Sequence, residues 1–347
     1  MKLLIAISVG AVVAIIVGVI AVGHYSAIEL EETRYTEEAY WQERIHVVGS
    51  VDAYQELRAA AHTLDPSDQH LLGHIFGSAL YTHDPQKGLL ECGTHLARGC
   101  MHEFVGRSIS DGGLTVIKDL NKTCTRINDI GGCQHGIGHG LVGYLGYDED
   151  AFQQSIALCE SLENADAFHG CQAGVFMEYN SRTILAVTNN VPPRTLVNND
   201  WYSPCEGLSG HTKEACALWR TQWWNELMLL EGIPLQERVQ RGFLLCENDD
   251  YDVRDFCFAG MGRVAVQGDP ADSAQRAVSI CEDASPVRRE QLICRAFAVS
   301  VVISTLGFDA AYGMCSDLKD EEYVYCHAFE VGEKTEADIV SYQPPAY

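Results

Sequence analysis

The spacing of the cysteines constrains the fold of this chain more than any other feature. Fourteen cysteines alternate between short intervals of 7 to 12 intervening residues and long intervals of 20 to 33. This alternation predicts seven local disulfides between consecutive cysteines, although the even count formally allows other connectivities. The predicted pairs are Cys92–Cys100, Cys124–Cys133, Cys159–Cys171, Cys205–Cys216, Cys246–Cys257, Cys281–Cys294 and Cys315–Cys326.

Other uses of cysteine fit the spacing less well. Zinc sites and iron–sulfur clusters typically use two cysteines separated by two or four residues, and no such spacing occurs. The Cys-x-x-Cys-His motif of covalent haem attachment is also absent. Disulfides persist in oxidising compartments, which agrees with the extracytoplasmic location that the amino-terminal residues predict.

The segments between the cysteines indicate helices. Small and apolar residues recur three and four positions apart in RGCMHEFVGRSI (98–109) and GGCQHGIGHGLVG (131–143), as on a packed helix face. We therefore predict an all-α fold, an α-solenoid of about eight helical hairpins with local disulfides over residues 55–335. The unit without cysteines is placed at 68–81, which aligns with 133–146. Because one hairpin cannot bury enough apolar surface alone, stacking supplies the core.

This arrangement of paired cysteines and helices resembles the Helicobacter cysteine-rich proteins, a secreted branch of the Sel1-like repeats. The resemblance covers roughly residues 55–330 and lies in the architecture, since the Leu-Gly and Tyr-x-x-Gly consensus is not kept in register. It implies a protein-interaction scaffold in which a disulfide joins the two helices of each hairpin. It assigns no role to the histidines.

The amino-terminal residues predict a membrane anchor. Residues 1–23 contain one charged side chain, Lys2, and an otherwise apolar run that is long enough to span a bilayer. We predict an uncleaved transmembrane signal anchor, with the amino terminus in the cytoplasm. An acidic juxtamembrane segment (24–54), the repeat domain (55–335) and a polar tail (336–347) would follow on the other side. The net charge of −24 argues against nucleic-acid binding and favours cations, basic partners or simple solubility.

The histidines are distributed unevenly, which makes them the best functional clue. Eight of the thirteen lie between residues 70 and 169, whereas the carboxy-terminal units keep the cysteines and nearly lose the histidines. The histidines are therefore not what makes a repeat unit fold. The eight are His70, His74, His83, His95, His102, His135, His139 and His169.

Two of the units share the pattern Gln-His-x-x-Gly-His. His70 aligns with His135 and His74 with His139, and His102 takes the equivalent position in the unit between them. Histidines four residues apart on a helix share a face and can bind one metal ion. We predict a site for Zn, Cu or Fe formed by these five histidines, either as one site or as two.

Further candidate ligands, and two interpretations without metal, remain open from the sequence. His95, His169, Glu103 and Glu178 are the residues that could complete the coordination. The histidines could instead bond neighbouring backbone carbonyls, with the adjacent glycines serving close helix packing, or act through pH-dependent protonation. Trp219 and Trp223 share a helix face and fit either core packing or a stacking platform.

The function predicted from the sequence is a membrane-anchored, extracytoplasmic binding scaffold with a histidine-based metal site. A protein or peptide partner would bind its concave face. One alternative is a metal-dependent enzyme that uses the same histidines, with Glu103 or Glu178 as general base. The other alternative is a metal-free interaction scaffold.

Overall fold

The computed structural model of this protein describes residues 34–331 except 63, 65, 94, 163–169, 183–191 and 270, and all regular elements in this part are helices. The all-α prediction is thereby confirmed for these residues. The predicted anchor (1–23) and the predicted tail (336–347) lie outside them. No helix among the described residues has both the length and the apolar character needed to cross a bilayer.

The helices are numbered in chain order. Their bounds are α1 Glu38–Val48, α2 Ser50–Ala61, α3 Pro66–His83, α4 Gly99–Gly112, α5 Ile117–Cys124, α6 Ile130–Leu145, α7 Glu149–Glu160, α8 Cys171–Ser181, α9 Gly210–Leu230, α10 Leu235–Glu247, α11 Arg254–Ala265, α12 Ser273–Ala284, α13 Arg288–Leu306, α14 Phe308–Ala311 and α15 Asp320–Glu330. Three 3-10 turns cover Gly88–Glu91, Leu96–Arg98 and Gly113–Val116.

One series of helices forms the centre of the molecule. Helices α1, α3, α4, α6, α8, α9, α11, α13 and α15 each pack against the next member of the series. The helices α2, α5, α7, α10 and α12 pack beside them as a second layer. The Leu96–Arg98 turn, which precedes α4, also contacts α13. The series therefore curves, and residues far apart in the chain come together on its inner side.

Seven disulfides join the cysteines in the pairs that their spacing predicts, with Cα–Cα distances of 5.4 to 5.7 Å. Four of them connect the end of one helix to the first turns of the next, as predicted. Cys124, for example, is the last residue of α5, and Cys133 lies in the first turn of α6. The same arrangement joins α7 to α8, α10 to α11 and α12 to α13.

Among the described residues, three of the disulfide-bonded units show no full helix directly before their first cysteine. Cys92 follows a 3-10 turn, Cys205 lies in the described stretch 192–209 that contains no helix, and Cys315 follows the four-residue helix α14. Proline and glycine explain these interruptions, because proline removes a backbone donor and glycine favours φ values that end a helix. The prolines are Pro85, Pro192, Pro193 and Pro204, and the glycines are Gly307 and Gly313, whose φ values are 92° and 89°.

Glycine allows α6 and α8 to approach each other closely. A Cβ atom at Gly138 would collide with the carbonyl oxygen of Cys171, and one at Gly174 would collide with that of His135. The predicted role of glycine in close helix packing is confirmed at this contact. Every residue of α6 from Gly132 to Val142 is buried, so tertiary packing maintains a helix that its glycine content would weaken in isolation.

Candidate metal centre

Three consecutive helices of the central series carry the five histidines predicted from the sequence. His70 and His74 lie one helical turn apart on α3, His102 lies on α4, and His135 and His139 lie one turn apart on α6. The ring centroid of His102 is 5.3 Å from that of His70 and 5.1 Å from that of His135. The structure therefore brings all five side chains into one cluster, with His102 in the middle.

Three of these histidines form a group whose geometry suits a metal ion. One ring nitrogen from each of His70, His74 and His102 lies within 4.8 Å of the other two. The Nε2 atoms of His70 and His74 are 3.0 Å apart. His74 and His102 are buried, with 3% and 4% of their surface exposed, and His70 is partly buried. Three imidazoles that converge in a largely buried site are a common ligand set for a divalent transition metal.

Glu103 orients one of these ligands. Its Oε2 atom lies 3.0 Å from Nδ1 of His74, across the contact between α4 and α3. A carboxylate at Nδ1 fixes the tautomer of the ring and leaves Nε2 unprotonated, so that Nε2 can accept the hydrogen bond from Nε2 of His70 or bind a metal in its place. Glu103 was predicted as a ligand or general base, and the structure places its carboxylate beside Nδ1 of His74, one of the candidate ligands.

The second histidine pair repeats this arrangement. Nδ1 of His139 lies 2.9 Å from Oε2 of Glu178 on α8, and both side chains are fully or almost fully buried. The hydroxyl of Tyr147 donates a hydrogen bond to Oε1 of the same carboxylate. Burial, and then the charge of Glu178, raise the pKa of Tyr147 above its usual range, so this hydroxyl keeps its proton as a donor. Glu178 therefore also orients a histidine, although His135 and His139 lie outside the three-nitrogen group.

Both ring nitrogens of His102 are buried, and neither has a hydrogen-bond partner within the protein. Burial lowers the pKa of His102 well below its usual range, and the positive charges of His139, His135, His70 and His74 would lower it further. The ring is consequently neutral at physiological pH, which is the protonation state that binds a metal. A buried polar group without a partner is costly, and a bound ion would satisfy it.

The remaining predicted ligands are not part of the three-nitrogen group. His95 is exposed and lines a separate cavity of about 560 Å³ together with Tyr54, Arg58 and Arg126. Partial burial and the charge of Arg58 lower the pKa of His95. His169 lies outside the described residues.

The sequence did not predict that side chains of α9 and α11 lie beside the second histidine pair. The centroid of the Trp219 ring lies 5.0 Å from that of the His135 ring. The guanidinium carbon of Arg263 lies 4.7 Å from the centroid of the same Trp219 ring. Both Trp219 and Trp223 are buried, and the Nε1 atom of Trp223 donates to the carbonyl of Arg194, which agrees with core packing. Glu226, also on α9, lies close enough to Glu178 and Arg263 to interact with their charges, and burial raises its pKa to about 7. Nothing in the local spacing of α9 indicates these contacts.

The comparisons with known proteins give no relative for this chain. No protein-family model, curated protein or solved structure matches it.

Proposed function

We propose that this protein is an extracytoplasmic helical scaffold that binds a divalent transition metal through His70, His74 and His102. The observation that carries the proposal is the convergence of three ring nitrogens within 4.8 Å in a largely buried site. The carboxylate of Glu103, 3.0 Å from Nδ1 of His74, supports it because metal-binding histidines commonly have such a partner.

A purely structural role accounts for the cluster less well than metal binding does. Histidines kept for helix packing would donate to or accept from neighbouring groups, since buried polar atoms are normally paired. His102 is 4% exposed, and both of its nitrogens lack such a partner. A metal ion at one of them removes this conflict.

The chemistry of the donors limits the metal. None of the fourteen cysteines, all of which lie in the described residues, is free, so thiolate ligands are not available. Neutral imidazoles favour zinc, copper or ferrous iron over calcium or magnesium, which prefer oxygen ligands. We propose one of these three transition metals as the cofactor.

The serial packing of the central helices supports the proposal that the fold is an α-solenoid related in architecture to Sel1-like repeats. The seven disulfides support an extracytoplasmic location, because they persist in oxidising compartments. We further propose that residues 1–23 anchor the chain in a membrane with the amino terminus in the cytoplasm. A protein or peptide would then bind the concave face of the solenoid.

Metal-dependent catalysis is the second candidate function, because the proposed site has three protein ligands. Three protein ligands leave a fourth coordination position for water or a substrate in a tetrahedral site. Addition of azide to the cobalt-substituted protein tests this alternative. A change in the visible absorption spectrum would indicate an exchangeable position, whereas an unchanged spectrum would favour the scaffold.

Metal analysis of protein purified from an oxidising compartment tests the main proposal. We expect the protein to bind zinc or copper stoichiometrically and the variant His74→Ala/His102→Ala to lose it. The variant His83→Ala is the matched control, because His83 is an exposed histidine at the end of the same helix as His74. Folded protein, with all seven disulfides formed, that binds none of zinc, copper and ferrous iron would refute the proposal.

A further inference from the structure

The histidine cluster contains a second triangle of rings that shares His102 with the first. The ring centroids of His102, His135 and His139 are separated by 5.1, 5.0 and 4.8 Å. Those of His70, His74 and His102 are separated by 4.5, 5.3 and 6.1 Å. Imidazoles bound to one tetrahedral ion at the usual metal–nitrogen distance have centroids about 5 Å apart. The second triangle therefore matches this spacing at least as well as the first.

Each triangle contains one histidine that a carboxylate orients from behind. Glu103 lies against Nδ1 of His74, and Glu178 lies against Nδ1 of His139, at 3.0 and 2.9 Å. Because Glu178 on α8 contacts Nδ1 of His139 on α6, the Nε2 atom of His139 points away from that carboxylate. The Nε2 atom of His74 points away from Glu103 for the same reason. The carboxylate–histidine pair is the arrangement that prepares an imidazole as a metal ligand.

His102 is the member that both triangles have in common. Both of its nitrogens lack a hydrogen-bond partner although the residue is buried. One bound ion would satisfy only one of the two nitrogens. A second ion on the other ring nitrogen would satisfy that nitrogen too. His102 would then bridge the two ions as an imidazolate.

We propose that the five histidines bind two divalent transition-metal ions, with His70, His74 and His102 around one ion and His102, His135 and His139 around the other. This inference rests on the proposed function for the first ion. The nitrogen–hydrogen bond of His102 breaks as the second ion binds, its proton is released to solvent, and the lone pair that remains coordinates that ion. Because the ring nitrogens of His102, His135 and His139 do not form such a three-nitrogen group as they stand, the second ion also requires these rings to reorient.

Copper titration of the metal-free full chain tests the proposal. We expect two Cu²⁺ ions per chain by equilibrium dialysis and elemental analysis. The paramagnetic resonance signal should rise with the first ion and fall with the second, because an imidazolate bridge couples the two copper spins. Saturation at one ion would overturn this inference and leave the proposed function standing. Two ions with an undiminished signal would overturn the shared bridge.

Variants assign the second ion to its ligands. We expect His135→Ala/His139→Ala to bind one Cu²⁺ ion with a full, uncoupled signal, and retention of two ions in this variant would overturn the assignment. The matched control His83→Ala/His211→Ala removes two exposed histidines and should keep two coupled ions. His135→Gln/His139→Gln, checked by circular dichroism and disulfide mapping, replaces the alanine variant if that variant fails to fold.

Discussion

Nδ1 of His74 and Oε2 of Glu103 lie 3.0 Å apart, across the contact between two helices that a disulfide-bonded loop holds in register. This pair links the repeat packing to the candidate metal centre. The helix that presents Glu103 also presents His102 as the preceding residue, so one element supplies both a ligand and the group that orients another ligand.

Glu103→Gln should weaken metal binding while leaving the fold intact. The neutral amide polarises the His74 ring less than the carboxylate does, and loss of such a partner typically lowers metal affinity about 10- to 100-fold. Competition with a chromophoric chelator measures the change. The control Glu91→Gln, at an exposed position of the same unit, should bind as the wild type does, and equal affinity of the two variants would contradict the orienting role.

The disulfide beside His102 should matter for metal binding as well as for stability. Removing Cys92–Cys100 in a double alanine variant should lower the free energy of unfolding by about 3 kcal/mol. It should also lower metal affinity by about tenfold, because the first turn of α4 then loses its fixed position. The matched variant without Cys315–Cys326 should lose similar stability and keep its affinity. Chemical denaturation and chelator competition on both variants measure the two effects.

Gly138→Ala should destabilise the protein because the new Cβ atom would overlap the carbonyl oxygen of Cys171 on α8. We expect a loss of at least about 2 kcal/mol in the free energy of unfolding. Gly136→Ala on the same helix is the control, since its Cβ atom would lie 3.3 Å from the nearest atoms of α4. That control should stay within about 1 kcal/mol of the wild type, because alanine is also the better helix former. Equal losses in the two variants would contradict the close contact at Gly138.

Glu226 should make stability depend on pH. Its pKa in the folded protein is about 7, raised by burial from the ordinary value of 4.5. An acid with a raised pKa in the folded state releases its proton more readily when the chain unfolds. The contribution of Glu226 therefore lowers the free energy of unfolding as pH rises from about 4.5 to 7 and is constant above that range.

Glu226→Gln removes this contribution and isolates it from other titrating groups. The variant should equal the wild type in stability near pH 4 and exceed it by on the order of 2 kcal/mol at pH 8. Urea denaturation of both proteins across this range gives the difference directly. A difference that does not change with pH would show that Glu226 is not the group responsible.

The cysteine spacing predicted the disulfides correctly because each bond spans only 8 to 13 positions of the chain. At such short separations, local helix and loop lengths decide which sulfur atoms can meet. The spacing of small and apolar residues around the second cysteine of each pair also involves only neighbouring positions, so it predicted those helices as well. The sequence was less informative for the described segments directly before Cys92, Cys205 and Cys315, where proline and glycine interrupt regular helix, because those segments take their shape from the neighbours on which they pack.

The sequence by itself determined that the fold is helical, that its cysteines pair with their neighbours and that His70, His74, His102, His135 and His139 hold equivalent places in successive units. Only the tertiary structure decided that all five rings meet, because the distance between units depends on how closely glycine lets the helices approach. It also decided that Glu103 and Glu178 lie behind histidine rings and that Trp219 reaches His135. These are contacts between separate helices, and their geometry follows from packing and curvature, which are not encoded in the spacing of residues within any one helix.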